Sequence, residues 1–156
     1  MAKYEEPFED TSIIFDQFIG QIDNLRDVSI KIIAQENLKE IGKVTKASDL
    51  NKHMHSYDVV ILLNETVFVT LEEEQRLMVV EELIAQIFFD WEKEKVSIIK
   101  PDINTFSLLL TKYGTEKYLR LRESIKAALA QNEESEQDGV ASRPQDNQSD
   151  NQSDNL

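Results

Sequence analysis

The chain has 156 residues, a formal net charge of −13, two histidines and no cysteine. The missing cysteines exclude disulfides and thiolate metal sites, and the acidity argues against nucleic-acid binding of the usual kind, which needs clustered Lys and Arg to neutralise phosphates. An apolar content of 40% suffices for one core, and the acidic surface suits solubility, a basic partner or competition for a DNA-binding surface.

Residues 1–9 read as a flexible lead-in. They lack a basic region followed by an apolar one, and no apolar run approaches the roughly 18–20 residues that span a bilayer. A cytoplasmic protein with no membrane partner is expected. Thr11 or Ser12 can cap a first helix, in which Ile14, Phe15, Phe18, Ile19 and Ile22 fall at helical spacing as far as Asn24. Alternation in VSIKIIA (28–34) predicts a strand with one buried face, and alternation over 41–46 predicts a shorter strand whose lysines suit a sheet edge. The polar stretch 47–57, with His53 and His55, reads as a loop. DVVILLN (58–64) is nearly continuous in apolar residues, as expected of a central strand buried on both faces.

Leu71–Trp91 is expected to be the central helix. Leu77, Val80, Ile84, Ile87 and Trp91 recur at steps of three and four, Met78, Val79, Leu83 and Phe88 widen the stripe, and Thr70 with Glu73 fits a capping box. A short strand near Val96–Ile99 ends at Pro101. Asp102 can cap a helix containing Phe106, Leu109, Leu110 and Tyr113, which Gly114 closes. A last helix runs from Thr115 to about residue 131, with Tyr118, Leu119, Leu121, Ile125, Ala128 and Leu129 on its apolar side. The composition then turns to Glu, Ser, Gln, Asn and Asp, so residues 132–156 read as a disordered acidic tail that carries seven acids against Arg143 alone. The fold expected is α+β: a small mixed sheet of three to four strands on a long central helix over 10–131, with N-terminal and C-terminal helices.

IGKV at 41–44, DVVILLNETVF at 58–68, EEEQR at 72–76, PDINTF at 101–106 and KYG at 112–114 together resemble a family of small phage-encoded metallopeptidases with a zincin-like fold. Active members would carry HExxH on the central helix, two histidines one turn apart on zinc with a glutamate activating water, and a third ligand downstream. Aligning that glutamate with Glu82 places Glu81 and Ala85 at the histidine positions and Pro101 at the third ligand, beside Asp102. Zinc at catalytic strength needs about three protein ligands. The resemblance therefore implies a pseudoenzyme with no cofactor, in which Glu81 and Glu82 are also explicable as solvated helix charges. His53 and His55 could face the same way on an extended chain and offer two imidazoles to a metal, with Glu81 or Asp58 as third ligand; two exposed loop histidines are the simpler reading.

Phe88, Phe89, Trp91, Phe106 and Tyr113 are read mainly as core, and Lys93, Lys95 and Lys100 form a small basic patch beside Trp91. Three functional readings follow. The first is a non-catalytic phage protein that binds a basic or DNA-binding protein in the host cytoplasm, without contacting nucleic acid itself. In the second, the carboxylates imitate DNA phosphates and inhibit a DNA-binding protein. The third is an unconventional metal-dependent peptidase using Glu82 with a metal held by His53 and His55.

Overall fold

The structure, a computed structural model, describes residues 3–100 and 107–133. Its sheet has the order β1-β2-β4-β3: Tyr4–Glu5 (β1), Ile30–Gln35 (β2), Val59–Leu63 (β4) and Gly42–Lys46 (β3). β4 lies between β2, to which it is parallel, and β3, to which it is antiparallel, so the most apolar strand is central and the lysine-bearing strand is at the edge. Both placements agree with the sequence. Only one face of β4 is sealed, however. Val59, Ile61 and Leu63 are fully buried, whereas Val60 and Leu62 are half-buried on the opposite face. Full burial of each of the three inward side chains contributes about 1.5–3 kcal/mol.

Helices cover the inward face. α1 (Glu9–Gly20) buries Phe15, and α4 (Glu73–Ala85) buries Met78, Val79, Val80, Leu83 and Ile84, the wide stripe expected of a helix packed from several sides. α4 lies tight against β3 at Gly42: a Cβ there would lie 2.8 Å from a Leu83 methyl. α5 (Ser107–Tyr113) ends at Gly114, whose φ of +88° is the left-handed cap that glycine adopts without strain. α6 follows at residues 115–133 and buries Tyr118, Leu121 and Ile125, although Leu119 of the expected apolar side is exposed.

Several boundaries differ from the sequence reading. The central helix stops at Ala85, and Ile87–Asp90 (β5) pairs antiparallel with Lys95–Ile98 (β6) as a separate hairpin. Ile84, Ile87 and Trp91 satisfy the helical period, but IFFD and KVSI also alternate. The hairpin sends Ile87 and Val96 into the core and leaves Phe88 exposed. Leu77 is exposed as well, and Trp91 is half-exposed, set edge-on to Phe89 and donating from its indole N–H to Asn24 Oδ1 at 2.9 Å. The aromatic group is therefore only partly core; Phe106, like Pro101, Asp102 and the acidic tail beyond residue 133, lies outside the described residues.

The stretch read as a loop contains α2 (Asp49–His55), capped by Ser48, whose hydroxyl accepts the Asn51 N–H at 3.1 Å. α2 buries no residue, so it leaves no amphipathic trace in the sequence. Caps differ too. α1 begins at Glu9, before Thr11 and Ser12, and the Phe8 amide donates to the buried Glu65 carboxylate at 2.8 Å. α4 starts behind Glu72, whose amide donates to Gln75 at 3.2 Å, while the Thr70 hydroxyl donates to Val67 O. Asn64 caps the one-turn helix α3 (Glu65–Phe68) and donates from its Nδ2 to Leu38 O, which pins the end of β4 to the chain entering β3.

Candidate functional site

Glu81 and Glu82 are neighbours on α4, so their side chains diverge by about 100° around the helix. Each enters a different cleft, and neither is the solvated helix charge expected of it: their side chains are only 15% and 14% exposed. On the α1 side, Glu81 accepts from Lys112 Nζ at 2.8 Å and from the Tyr113 hydroxyl. Burial, and then the Glu81 carboxylate, push the Tyr113 phenol well above its ordinary pKa, so it remains a donor at neutral pH. This cleft holds about 270 Å³, and Ile14, Phe18 and Leu77 line the rest of it together with Gln17 and Gln21.

The larger cleft, of about 390 Å³, runs between edge strand β3, α4 and α6. Val79 and Leu83 supply one part of its lining and Ile125 and Leu129 another, with Gly42 and Val44 along the strand side. Glu82 faces into it and is bound by the Arg122 guanidinium, which also donates from Nε to the Tyr118 hydroxyl at 2.5 Å and lies over the Tyr118 ring, 4.9 Å from its centroid. Tyr118 and Arg122 sit one turn apart on α6, a spacing that brings two side chains together on one helix face. Arg122, Lys112 and the hydroxyl of Tyr113 were not among the expected site residues. The sequence signal for them was the helical spacing of a basic residue, not a motif.

The backbone of β3 completes this cleft. Its ladder with β4 ends in bonds from the Asn64 N–H to Ile41 O and from the Ala47 N–H to Asp58 O. In an antiparallel pair the residues that bond the partner alternate with residues that do not. Ile41, Lys43, Thr45 and Ala47 therefore face β4, and the N–H and C=O groups of Gly42, Val44 and Lys46 point away from the sheet. Among the described residues β3 ladders with β4 only; β6 packs beside it in a separate sheet.

The histidines occupy a different region. His53 and His55 lie on α2, where a separation of two residues turns them about 200° apart, so they do not converge as they would on an extended chain. The His55 ring stacks on Tyr57. Asp58, the suggested carboxylate partner, accepts the Ser29 N–H at 2.8 Å and the Lys52 ammonium at 2.9 Å. Burial raises its pKa, but these two partners outweigh burial and hold the carboxyl below its ordinary value. Among the described residues no three His, Asp or Glu side chains come together as a metal site.

Zinc does not suit the motif positions. Glu81 is clasped by Lys112 and Tyr113, Ala85 has no donor atom, and Glu82 is bound to a guanidinium where a zincin would need a free carboxylate beside metal-bound water. No helix among the described residues is long and apolar enough to cross a membrane. No protein-family model matches the chain, and no curated protein or solved structure matches it either.

Proposed function

We propose that this is a non-catalytic protein that binds an extended peptide segment in the cleft between β3, α4 and α6. The observation that carries the reading is the coincidence of an aliphatic wall in the cleft, from Val79, Leu83, Ile125 and Leu129, with the outward peptide groups of Gly42 and Val44 on β3. Strand addition needs both: main-chain hydrogen bonds supply affinity, and a pocket for alternate side chains supplies specificity. Val79, Leu83, Ile125 and Leu129 suit an aliphatic side chain, and no aromatic side chain lines the cleft among the described residues. The resemblance to phage metallopeptidases fits this arrangement as a retained scaffold: Glu82 stands where the family's glutamate would, and Arg122 neutralises it in place of a metal-centred reaction. The chain then acts by protein contact, in the host cytoplasm if it is phage-encoded.

Panning a library of extended peptides against the intact protein tests this reading. Selected ligands should carry an aliphatic residue and shift the amide signals of Gly42, Val44 and Lys46. Leu129→Arg should abolish their capture while leaving the thermal melt within a few degrees of wild type. Capture that survives Leu129→Arg, or shifts confined to α2 or the β5–β6 hairpin, would overturn the assignment.

A further inference from the structure

The cleft between α1, α4 and α5 takes no part in the β3 reading. It holds a carboxylate already seated on an ammonium. Lys112 Nζ lies 2.8 Å from Glu81 Oε1 and 3.1 Å from Oε2, with the centre of the Tyr113 ring 5.2 Å away, and the Tyr113 hydroxyl donates to the same carboxylate. A carboxylate beside an aromatic face is a seat for an alkylammonium ion. The chain fills that seat with an outlying side chain: Lys112 is 55% exposed against 15% for Glu81, and an ion pair with so exposed a partner opens at little cost. In the same lining, Ile14 and Phe18 of α1 are half-buried and Leu77 of α4 is exposed, so apolar surface that the fold leaves wet accompanies the charge.

We propose that this cleft binds the side chain of a lysine presented by a protein partner, whose ammonium displaces Lys112 from Glu81 and whose methylene stem lies on Ile14, Phe18 and Leu77. Lysine pairs an apolar stem with a charged head, and the cleft offers a surface for each. Its volume of about 270 Å³ falls below the roughly 300–1,000 Å³ of small-molecule sites but admits one side chain. Gln17 and Gln21, exposed and one turn apart on α1, offer amide groups to the partner's backbone. α1 also carries Glu9, Asp10 and Asp16 and no basic residue, in a chain of net charge −13, so a basic partner is attracted to this side.

Titrating the intact protein with a capped Gly-Gly-Lys-Gly-Gly peptide, followed by the methyl signals of Ile14 and Leu77, tests the proposal. Both signals should shift and that of Ile125, in the other cleft, should not. Norleucine in place of the peptide's lysine keeps the stem without the charge and should abolish the shifts, as should Glu81→Gln. Lys112→Ala removes the resident ammonium and should tighten binding by up to about fivefold, the worth of an exposed ion pair. It alters an exposed side chain, so it tests the site without depending on the fold of Glu81→Gln. No shift at millimolar peptide in either wild type or Lys112→Ala, or binding weakened by Lys112→Ala, would overturn the inference and leave Lys112 and Glu81 as a structural pair only. An arginine peptide that binds equally well would refute the choice of lysine. Butylammonium that binds as tightly as the peptide would refute a protein partner in favour of a free amine.

Discussion

Replacing Arg122 by Leu isolates the ion pair that lines the larger cleft. The change leaves a Glu82 carboxylate that is 14% exposed without its guanidinium, and it also removes the stacking on Tyr118. Breaking a fully buried pair by removing one partner costs about 3–5 kcal/mol, and an exposed pair is worth about 1 kcal/mol or less. Arg122 is itself one-third exposed, which sets the expectation between these limits, at about 2 kcal/mol. For a domain of this size that is a fall in Tm of about 6–10 °C. Glu82→Leu together with Arg122→Leu should recover at least half of the loss, because a well-packed apolar pair carries no desolvation cost. Urea unfolding followed by circular dichroism gives both values at constant slope. A single variant within about 0.5 kcal/mol of wild type, or a double variant no more stable than the single, would refute the reasoning.

Gly42→Ala should cost about 1–2 kcal/mol by overpacking against Leu83, and Leu83→Ala in the same chain should cost less than it does alone, since the new methyl fills part of its cavity; the double-mutant cycle by urea melts reads this coupling. Gly114→Ala should lose about 1 kcal/mol from backbone strain alone, as nothing lies within 4 Å of the added methyl, and Gly114→Asn should lose less than Ala in the same melts. Asp58 has a folded-state pKa below its unfolded one, so it adds stability above the ordinary carboxylate range that disappears as pH falls through the depressed value. The difference in Tm between wild type and Asp58→Asn should therefore be largest near neutrality and vanish at strongly acidic pH.

Much of the architecture was legible because β4 and the lysine-bearing β3 differ in composition. A strand with five apolar residues in succession needs neighbours on both sides, and one bearing Lys43 and Lys46 tolerates having only one. The end of α4 was not legible, since Ile84, Ile87 and Trp91 fit a helix as well as Ile87 and Phe89 fit a strand; hydrophobic period cannot separate the two over so few residues. α2 left no signal because it buries nothing, and its evidence in sequence was confined to the cap at Ser48. Glu82 was singled out by motif alignment, but its partner lies 40 residues away on another helix. Its pairing is therefore set by tertiary contact, which a local pattern does not contain. The outward peptide groups of β3 follow from pairing alone and are invisible to side-chain analysis.

The segment between β3 and β4 also bears on how the protein can be handled. Residues 47–58 join two antiparallel neighbours that a two-residue turn would connect, and α2 within them contributes nothing to the core. Its Leu50 and Met54 face solvent, and its attachments include a serine cap, the Lys52–Asp58 contact and the stacking of His55 on Tyr57. Lengthening a connection of this kind adds only about 0.6 kcal/mol of closure entropy per doubling. A fluorescent domain or an affinity handle inserted near Met54 should leave the strand register and both clefts unaltered, and so should provide a labelling position away from the proposed binding edge.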